Sequence, residues 1–341
     1  MTARTKKPGG FLRKVRQNWI MLLMVLPAVL YFLIFNYLPM PGIILAFKRF
    51  NYAQGIFASP WAGLENFRFF FGSGDAWFLT RNTILYNVAF LLVGTALQVL
   101  VAVMLSEMRL KLFKKVTQTM MFLPYFISMV VIGAFMYNIF NYEFGAFNTI
   151  LTSLGMERVN VYSDPGVWPW ILIVLNTWKG LGYGIVLYLA AIMGIDTEIY
   201  EAADIDGANT FQKIRVITIP CLLPTIITLT LLAVGGICKG NFQLFYNVVG
   251  NNGMLFKMTD VIDTYVYRAL MQASDFGMST AAGAYQSVLN LVIIMTVNGL
   301  TRLVDKEYAL FWRKGPLVPR FPRASPSGKT AGCIPAQERN D

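Results

Sequence analysis

The stretch Glu201-Ala202-Ala203-Asp204-Ile205-Asp206-Gly207, followed after nine further residues by Ile217-Thr218-Ile219-Pro220, decides how this chain is read. It is a short polar segment between two long apolar ones, patterned as helix, turn, helix. Asp196 or Thr197 is placed to cap a first helix, with Glu198 and Glu201 near its positively polarised N-terminus. At helical spacing Ile199, Ala202, Ala203 and Asp206 share one face. Gly207 permits a bend that a residue with a Cβ resists. Thr210 is placed to cap a second helix, with Phe211 and Ile214 on one side and Gln212, Lys213 and Arg215 toward water or lipid headgroups. Pro220 falls where the chain re-enters an apolar run.

Hydrophobic residues make up 56% of the 341 and charged residues only 14%. Soluble domains carry about a quarter charged residues, so this is a membrane protein. Three scattered cysteines imply no disulfide framework. Histidine is absent, which removes the commonest general base and any His-ligated metal site. The net charge of +11 is explained by basic segments facing one side of a membrane, where anionic lipid suffices as partner and no nucleic acid is required.

Six apolar runs are long enough to span: 19–38, 83–105, 117–140, 168–193, 217–238 and 280–300. The fold class is therefore all-α and polytopic. A basic N-terminal tail covers 1–17, the transmembrane domain 18–311, and a Pro- and Ser-containing tail, read as disordered, 312–341. Residues 39–82 read as an extended loop containing Gly63-Leu64-Glu65-Asn66-Phe67. The loop 106–116 carries Arg109, Lys111, Lys114 and Lys115, whereas 141–167 carries Arg158 alone. That asymmetry places both termini and the segment 194–220 in the cytoplasm.

The opening stretch, in this position between spans four and five, resembles the EAA loop of the permease subunits of type I binding-protein-dependent ABC importers. The family pattern is E-A-A, three residues, G, nine residues, I-x-L-P, and only Ile219 departs from it. The phrases Gly240-Asn241-Phe242-Gln243-Leu244-Phe245-Tyr246-Asn247, Asp260 to Arg268, Ser279 to Ala284 and Glu307 to Phe311 are similar to the carbohydrate-importing branch. Within it they resemble the lipoprotein-linked polysaccharide and aldouronate permeases of Gram-positive bacteria. The resemblance implies that Glu201, Ala202, Ala203, Asp206, Gly207, Ile217 and Pro220 form a coupling helix and its exit, seated in a cleft of a separate ATPase. It also implies a heterodimer with a second permease, an ATPase dimer that binds the ATP and Mg, and an extracellular solute-binding lipoprotein. The chain itself then needs no cofactor, and its place is the bacterial plasma membrane.

Lys179, about eleven residues into span four, is an ionisable group near mid-bilayer and hence a candidate for the substrate path. The competing account has it snorkelling or bonding a backbone carbonyl beside Gly180, Gly182 and Gly184, which themselves read as close packing or a helix break. Asn241, Gln243 and Tyr246, interleaved with Phe242 and Phe245, supply amides beside flat apolar faces, as a sugar requires. An interfacial belt of aromatics and amides accounts for them equally. Asp260, Asp263 and Arg268 fall outside, either in reach of a docking binding protein or in a solvated loop. No G-x-x-x-x-G-K-[ST], H-E-x-x-H or nucleophile elbow occurs, so no catalytic or metal site is assigned.

These observations make the chain the permease subunit of an ABC importer for an oligosaccharide or polysaccharide fragment. The alternatives are an ABC permease for a peptide or small osmolyte, an ion-coupled secondary transporter, and a membrane scaffold. No acidic residue falls in the six runs, which argues against proton coupling, and a scaffold leaves the EAA spacing unexplained.

Overall fold

The computed structural model describes residues 18–304; the segment 1–17, the phrase 307–311 and the tail 312–341 lie outside the described residues. The first span opens with α1 (Trp19–Phe32), passes through a π-helical turn (Leu33–Tyr37) and ends in a 3-10 helix (Met40–Phe47). The apolar run therefore reaches Phe47, and the loop expected from residue 39 begins later. Helix α1 tolerates Pro27 and buries none of its side chains, so its apolar face is turned to lipid or to another chain.

The connection that follows is tied down by polar side chains. Buried Lys48 donates to the carbonyls of Phe57 and Ile56 and lies 5.1 Å from the Trp61 ring. In α2 (Glu65–Gly72), Asn66 donates to the carbonyls of Ala46 (2.9 Å) and Lys48 (3.1 Å), while Phe67 packs on Phe47 at 5.3 Å. These contacts account physically for the Gly-Leu-Glu-Asn-Phe phrase: it clamps the first span to the start of the second.

The second span, α3 (Asp75–Ser106), is longer than the run 83–105 and begins with a carboxylate in its first turn. The third differs from expectation. Residues 117–140 are not one helix: α4 (Lys111–Phe126) and α5 (Met129–Phe140) meet at a bend of 92°. Pro124 in the last turn of α4 deprives the helix of a donor, Ile127 is extended, and Ser128 caps α5 by accepting from Val131 N–H at 3.3 Å.

After α6 (Ala146–Ser153), the fourth span α7 (Trp168–Met193) is unbroken. Buried Trp168 anchors it by donating to the Val161 carbonyl at 3.0 Å. Ile185, Tyr188, Leu189 and Ile192 pack on Ala102, Val103 and Leu105 of α3 and on Leu222. A Cβ on Gly182 would lie 2.3 Å from the Met121 carbonyl oxygen, so glycine there serves close packing rather than a helix break.

The chain then forms α8 (Thr197–Ile205) and α9 (Thr210–Lys213), a π turn (Ile214–Thr218) and α10 (Ile219–Val234). The run 217–238 was expected to be helical throughout, but α10 stops at Val234. Helix resumes only at Phe242–Leu244, continuing as a π turn over Phe245–Val249. Beyond it lie α11 (Ile262–Met271) and the sixth span α12 (Phe276–Val304). Among the described residues, five helices are thus long and apolar enough to cross a membrane, and the bent pair, taken as one span, makes a sixth. At the end of the bundle remote from α8, Phe245 and Val248 join Met129, Ile132, Met136, Trp168 and Leu172 in one core.

Candidate functional site: a coupling loop and a broken span

The loop from α8 to α10 is built by local chemistry. Asp196 caps α8, its carboxylate accepting from Glu198 N–H at 3.0 Å. At the other end the Ala208 N–H reaches the Ala203 carbonyl (2.9 Å) and the Gly207 N–H that of Asp204 (3.1 Å). This Schellman closure requires a left-handed residue, and Gly207 supplies it with φ +76. The second cap is Asn209, not Thr210: its side chain accepts from Gln212 N–H while the Gln212 side chain accepts from Asn209 N–H, a full capping box. The π turn widens the helix just ahead of Pro220, which has no N–H to give.

Two contacts fix the angle of α8. The Tyr200 hydroxyl meets the buried Thr218 hydroxyl at 2.9 Å, and Lys213 pairs with Asp204 at 2.7 Å. Ile217 and Ala203 are half-buried behind this strut, while Glu201, Ala202, Asp206, Gly207 and Pro220 are exposed. Ile205 and Phe211 stand 88% and 70% exposed beside the carboxylates of Glu201 and Asp206. Two large apolar side chains thus stand exposed on the braced knob.

The second feature is the interruption at residues 235–241. Its backbone groups are met by side chains from elsewhere: Gln286 donates to the Cys238 carbonyl (2.7 Å), Asn290 to that of Gly235 (3.1 Å), and the Asp263 carboxylate accepts from Gly240 N–H (2.5 Å) and Gln286 (2.9 Å). Burial pushes the Asp263 carboxyl above its ordinary value, against the pull of those donors. Asp260 is buried in an ion pair with Arg268 and accepts from Thr264 at 2.5 Å. The Asp263 carboxylate thus ties α11 to the break and to span six, and that of Asp260 is spent on Thr264 and Arg268 of α11 itself, so neither stands free for a docking protein.

Of the candidate path residues, Asn241 bridges spans: its amide donates to Asn176 of α7 at 3.2 Å and its oxygen caps the following turn at Leu244 N–H. Tyr246 stacks on Phe242 (5.1 Å, 17°), and both rings pack against Tyr267 at 4.9 Å. Gln243 is exposed and makes no side-chain hydrogen bond to the others. Lys179 sits one turn from Asn176, and its ammonium donates to the carbonyls of Pro124 (3.3 Å), Tyr125 (3.0 Å) and Ile127 (2.5 Å) at the bend of the third span. Beside it Tyr125 and Tyr183 stack at 5.4 Å and 14°. The bend of span three and the break of span five therefore meet on the same face of α7. Asn176, Tyr125, Tyr183 and Tyr267 were not singled out as path residues by the sequence. The signal present was Asn176 three residues before Lys179, on one helical face.

A six-span helical bundle with a braced polar knob at one end and a discontinuous span at the other is the architecture of a membrane transport subunit. The chain belongs to the family of binding-protein-dependent transport system inner membrane components, whose model matches residues 98–306. Protein LplB of Bacillus subtilis (strain 168) is 33% identical over 292 residues, covering 86% of this chain and 91% of that protein. The polygalacturonan/rhamnogalacturonan transport system permease protein YteP of the same organism is 31% identical over 302 residues, 89% and 94% of the two chains. Among solved structures, a chain of a bacterial alginate ABC transporter, crystallised with an alginate pentasaccharide-bound periplasmic protein, superposes with a TM-score of 0.77. It is 32% identical, with 86% of this chain and 98% of that one covered.

Proposed function

We propose that this chain forms half of an ATP-driven import path for an oligosaccharide or polysaccharide fragment. The observation that carries the reading is the Asn176–Asn241 contact at the break of span five, set between the Tyr125–Tyr183 and Phe242–Tyr246 stacks. Sugars present hydroxyls that demand partners and C–H faces that lie on aromatic rings, and this site offers both. A broken helix at membrane depth is also where transporters place their ligands. The names of the relatives point the same way.

In this reading the second half of the path is a homologous permease, against which the unburied α1 packs. The termini and the α8–α9 knob face the cytoplasm, and an extracellular lipoprotein delivers the sugar. The knob, with Glu201, Ala202, Ala203, Asp206 and Gly207 leading into Ile217 and Pro220, docks into an ATPase dimer that binds ATP and Mg. The chain itself is a transport subunit and not an enzyme. Closure of the ATPases shifts the population between inward- and outward-open bundles through the braced α8. Lys179 acts here by shaping the bend that lines the path. Uptake of labelled oligosaccharides by cells carrying the whole transporter tests the reading. Asn241→Ala with Tyr246→Ala should lower sugar uptake at least tenfold, and undiminished uptake would move the path elsewhere.

A further inference from the structure

Helix α11 meets the break of span five with two residues one turn apart. The Asp263 carboxylate accepts from Gly240 N–H at 2.5 Å, and the Tyr267 ring packs at 4.9 Å against both Phe242 and Tyr246. At i and i+4 these two side chains share one helical face. Between the groups they touch stands Asn241, whose amide meets Asn176 at 3.2 Å. The approach is close: a Cβ on Gly240 would lie 2.8 Å from both the Asp263 Oδ2 and the Val261 Cγ2.

What holds each partner gives the constraint its direction. The start of α11 is bolted to span two: Thr83 Oγ1 accepts from Ile262 N–H (3.1 Å), and Asn82 donates to the Asp260 carbonyl (3.1 Å). Val261 and Ile262 are fully buried, and the Thr264 hydroxyl closes the first turn by accepting from Val261 N–H at 3.0 Å. The stretch 235–241 has no such frame. Beyond its local turns, its backbone is held by side chains of α11 and span six. A fixed helix bonded to a non-helical segment sets the place of that segment, and Asp263 grips it at the residue next to Asn241.

We propose that Asp263 is a positioning residue for substrate recognition: it fixes the Gly240 backbone and so holds the Asn241 amide where a sugar hydroxyl meets it. Tyr267 of the same helix sets the ring stack beside it. This rests on the sugar-import reading above, which puts the path at the Asn176–Asn241 contact. Gln286 donates to the same Asp263 oxygen at 2.9 Å and to the Cys238 carbonyl at 2.7 Å, so the carboxylate is itself oriented from span six. An ionised acceptor makes the stronger bond to an N–H, and a recognition group misplaced by about 1 Å loses most of its effect.

The test uses the complete transporter in proteoliposomes and whichever labelled oligosaccharide of hexose, pentose or uronic-acid units the wild type imports. Asn241→Ala gives the reference rise in KM. Asp263→Ala should raise KM about fivefold or more with kcat changed less than about twofold. Asp263→Asn, which keeps an acceptor for Gly240 N–H, should stay within about twofold of wild type. In the Asn241→Ala background Asp263→Ala should add nothing to KM, because the side chain it positions is gone. Gly240→Ala, which crowds the acid without removing it, should repeat the rise in KM and is the variant read if Asp263→Ala does not assemble with the second permease. A wild-type KM in Asp263→Ala beside a raised one in Asn241→Ala overturns the positioning role and leaves the path standing. Additive losses in the double variant, or an Asp263→Asn as impaired as Asp263→Ala, do the same. An unmoved KM in Asn241→Ala overturns the path and the positioning role together, as does a wild type that imports none of the sugars.

Discussion

The Lys179 ammonium and the Ile127 carbonyl, 52 residues apart in sequence, meet at 2.5 Å across the bend of the third span. With Pro124 and Tyr125 also bonded, the lysine does for the end of α4 what a further turn of helix would have done: it donates to the terminal carbonyls, sharing that of Pro124 with Ile127 N–H (3.2 Å). A cation at a helix C-terminus is also favoured by the helix dipole, so the charge costs less here than elsewhere in the bilayer.

Lys179→Met should therefore act on structure as well as on transport. Each carbonyl left bare costs on the order of 1–3 kcal/mol. The expected result is a lower Tm of the purified complex together with reduced uptake, and Lys179→Arg should recover part of both. A variant that changes only KM, with Tm intact, would make Lys179 a substrate contact instead.

The Asp260–Arg268 pair makes a sharper stability prediction. The side chains are 2% and 19% exposed, so removing one partner strands a buried charge. Arg268→Ala should cost roughly 3–5 kcal/mol, and the double change Asp260→Asn with Arg268→Leu should cost clearly less. Thermal unfolding of the two variants side by side measures the difference.

Asp263 gives a pH dependence with a definite sign. Its folded pKa is raised, so its ionisation opposes folding. The group's favourable contribution is complete below the ordinary aspartate value of about 3.9 and is lost as pH rises through the raised folded value. Asp263→Asn keeps an oxygen to accept from Gly240 N–H and removes the charge. Its Tm relative to wild type should be most favourable near neutrality and should decline as the pH approaches about 4. The opposite trend would mean that the donors outweigh burial.

Much of this was legible in the sequence, for identifiable reasons. Apolar runs located the six spans because lipid demands them, and the Glu201-to-Pro220 spacing located the knob because its turn needs glycine at one position. What the sequence did not show was discontinuity. The bend at Pro124–Ser128 lies inside an apolar run and the break at 235–241 begins inside one, and the groups that stabilise them come from distant segments: Lys179 for one, Asp263, Gln286 and Asn290 for the other. Hydropathy averages over a window and cannot register a long-range hydrogen bond. The same blindness hid the inward turn of Asp260 and Asp263, and made Thr210 as plausible a cap as Asn209.

The central claim is that the braced knob passes motion between an ATPase and the bundle. Gly207 has φ +76 with open space around it, so a substitution acts through backbone strain of about 1–2 kcal/mol and not through a clash. Gly207→Val should tilt α8 and reduce uptake strongly while the chain still inserts. Glu201 is exposed on the knob proposed to dock the ATPase, where a charge-assisted contact would be worth roughly 1.5–3 kcal/mol, so Glu201→Lys should reverse the sign of that contact and Glu201→Gln should be milder.

The most direct test is co-purification of the ATPase subunits with this chain from solubilised membranes, comparing wild type, Glu201→Gln and Glu201→Lys. The account predicts full retention, partial retention and loss, in that order, with sugar uptake falling in parallel. Full retention of the ATPase and normal uptake in Glu201→Lys would contradict it.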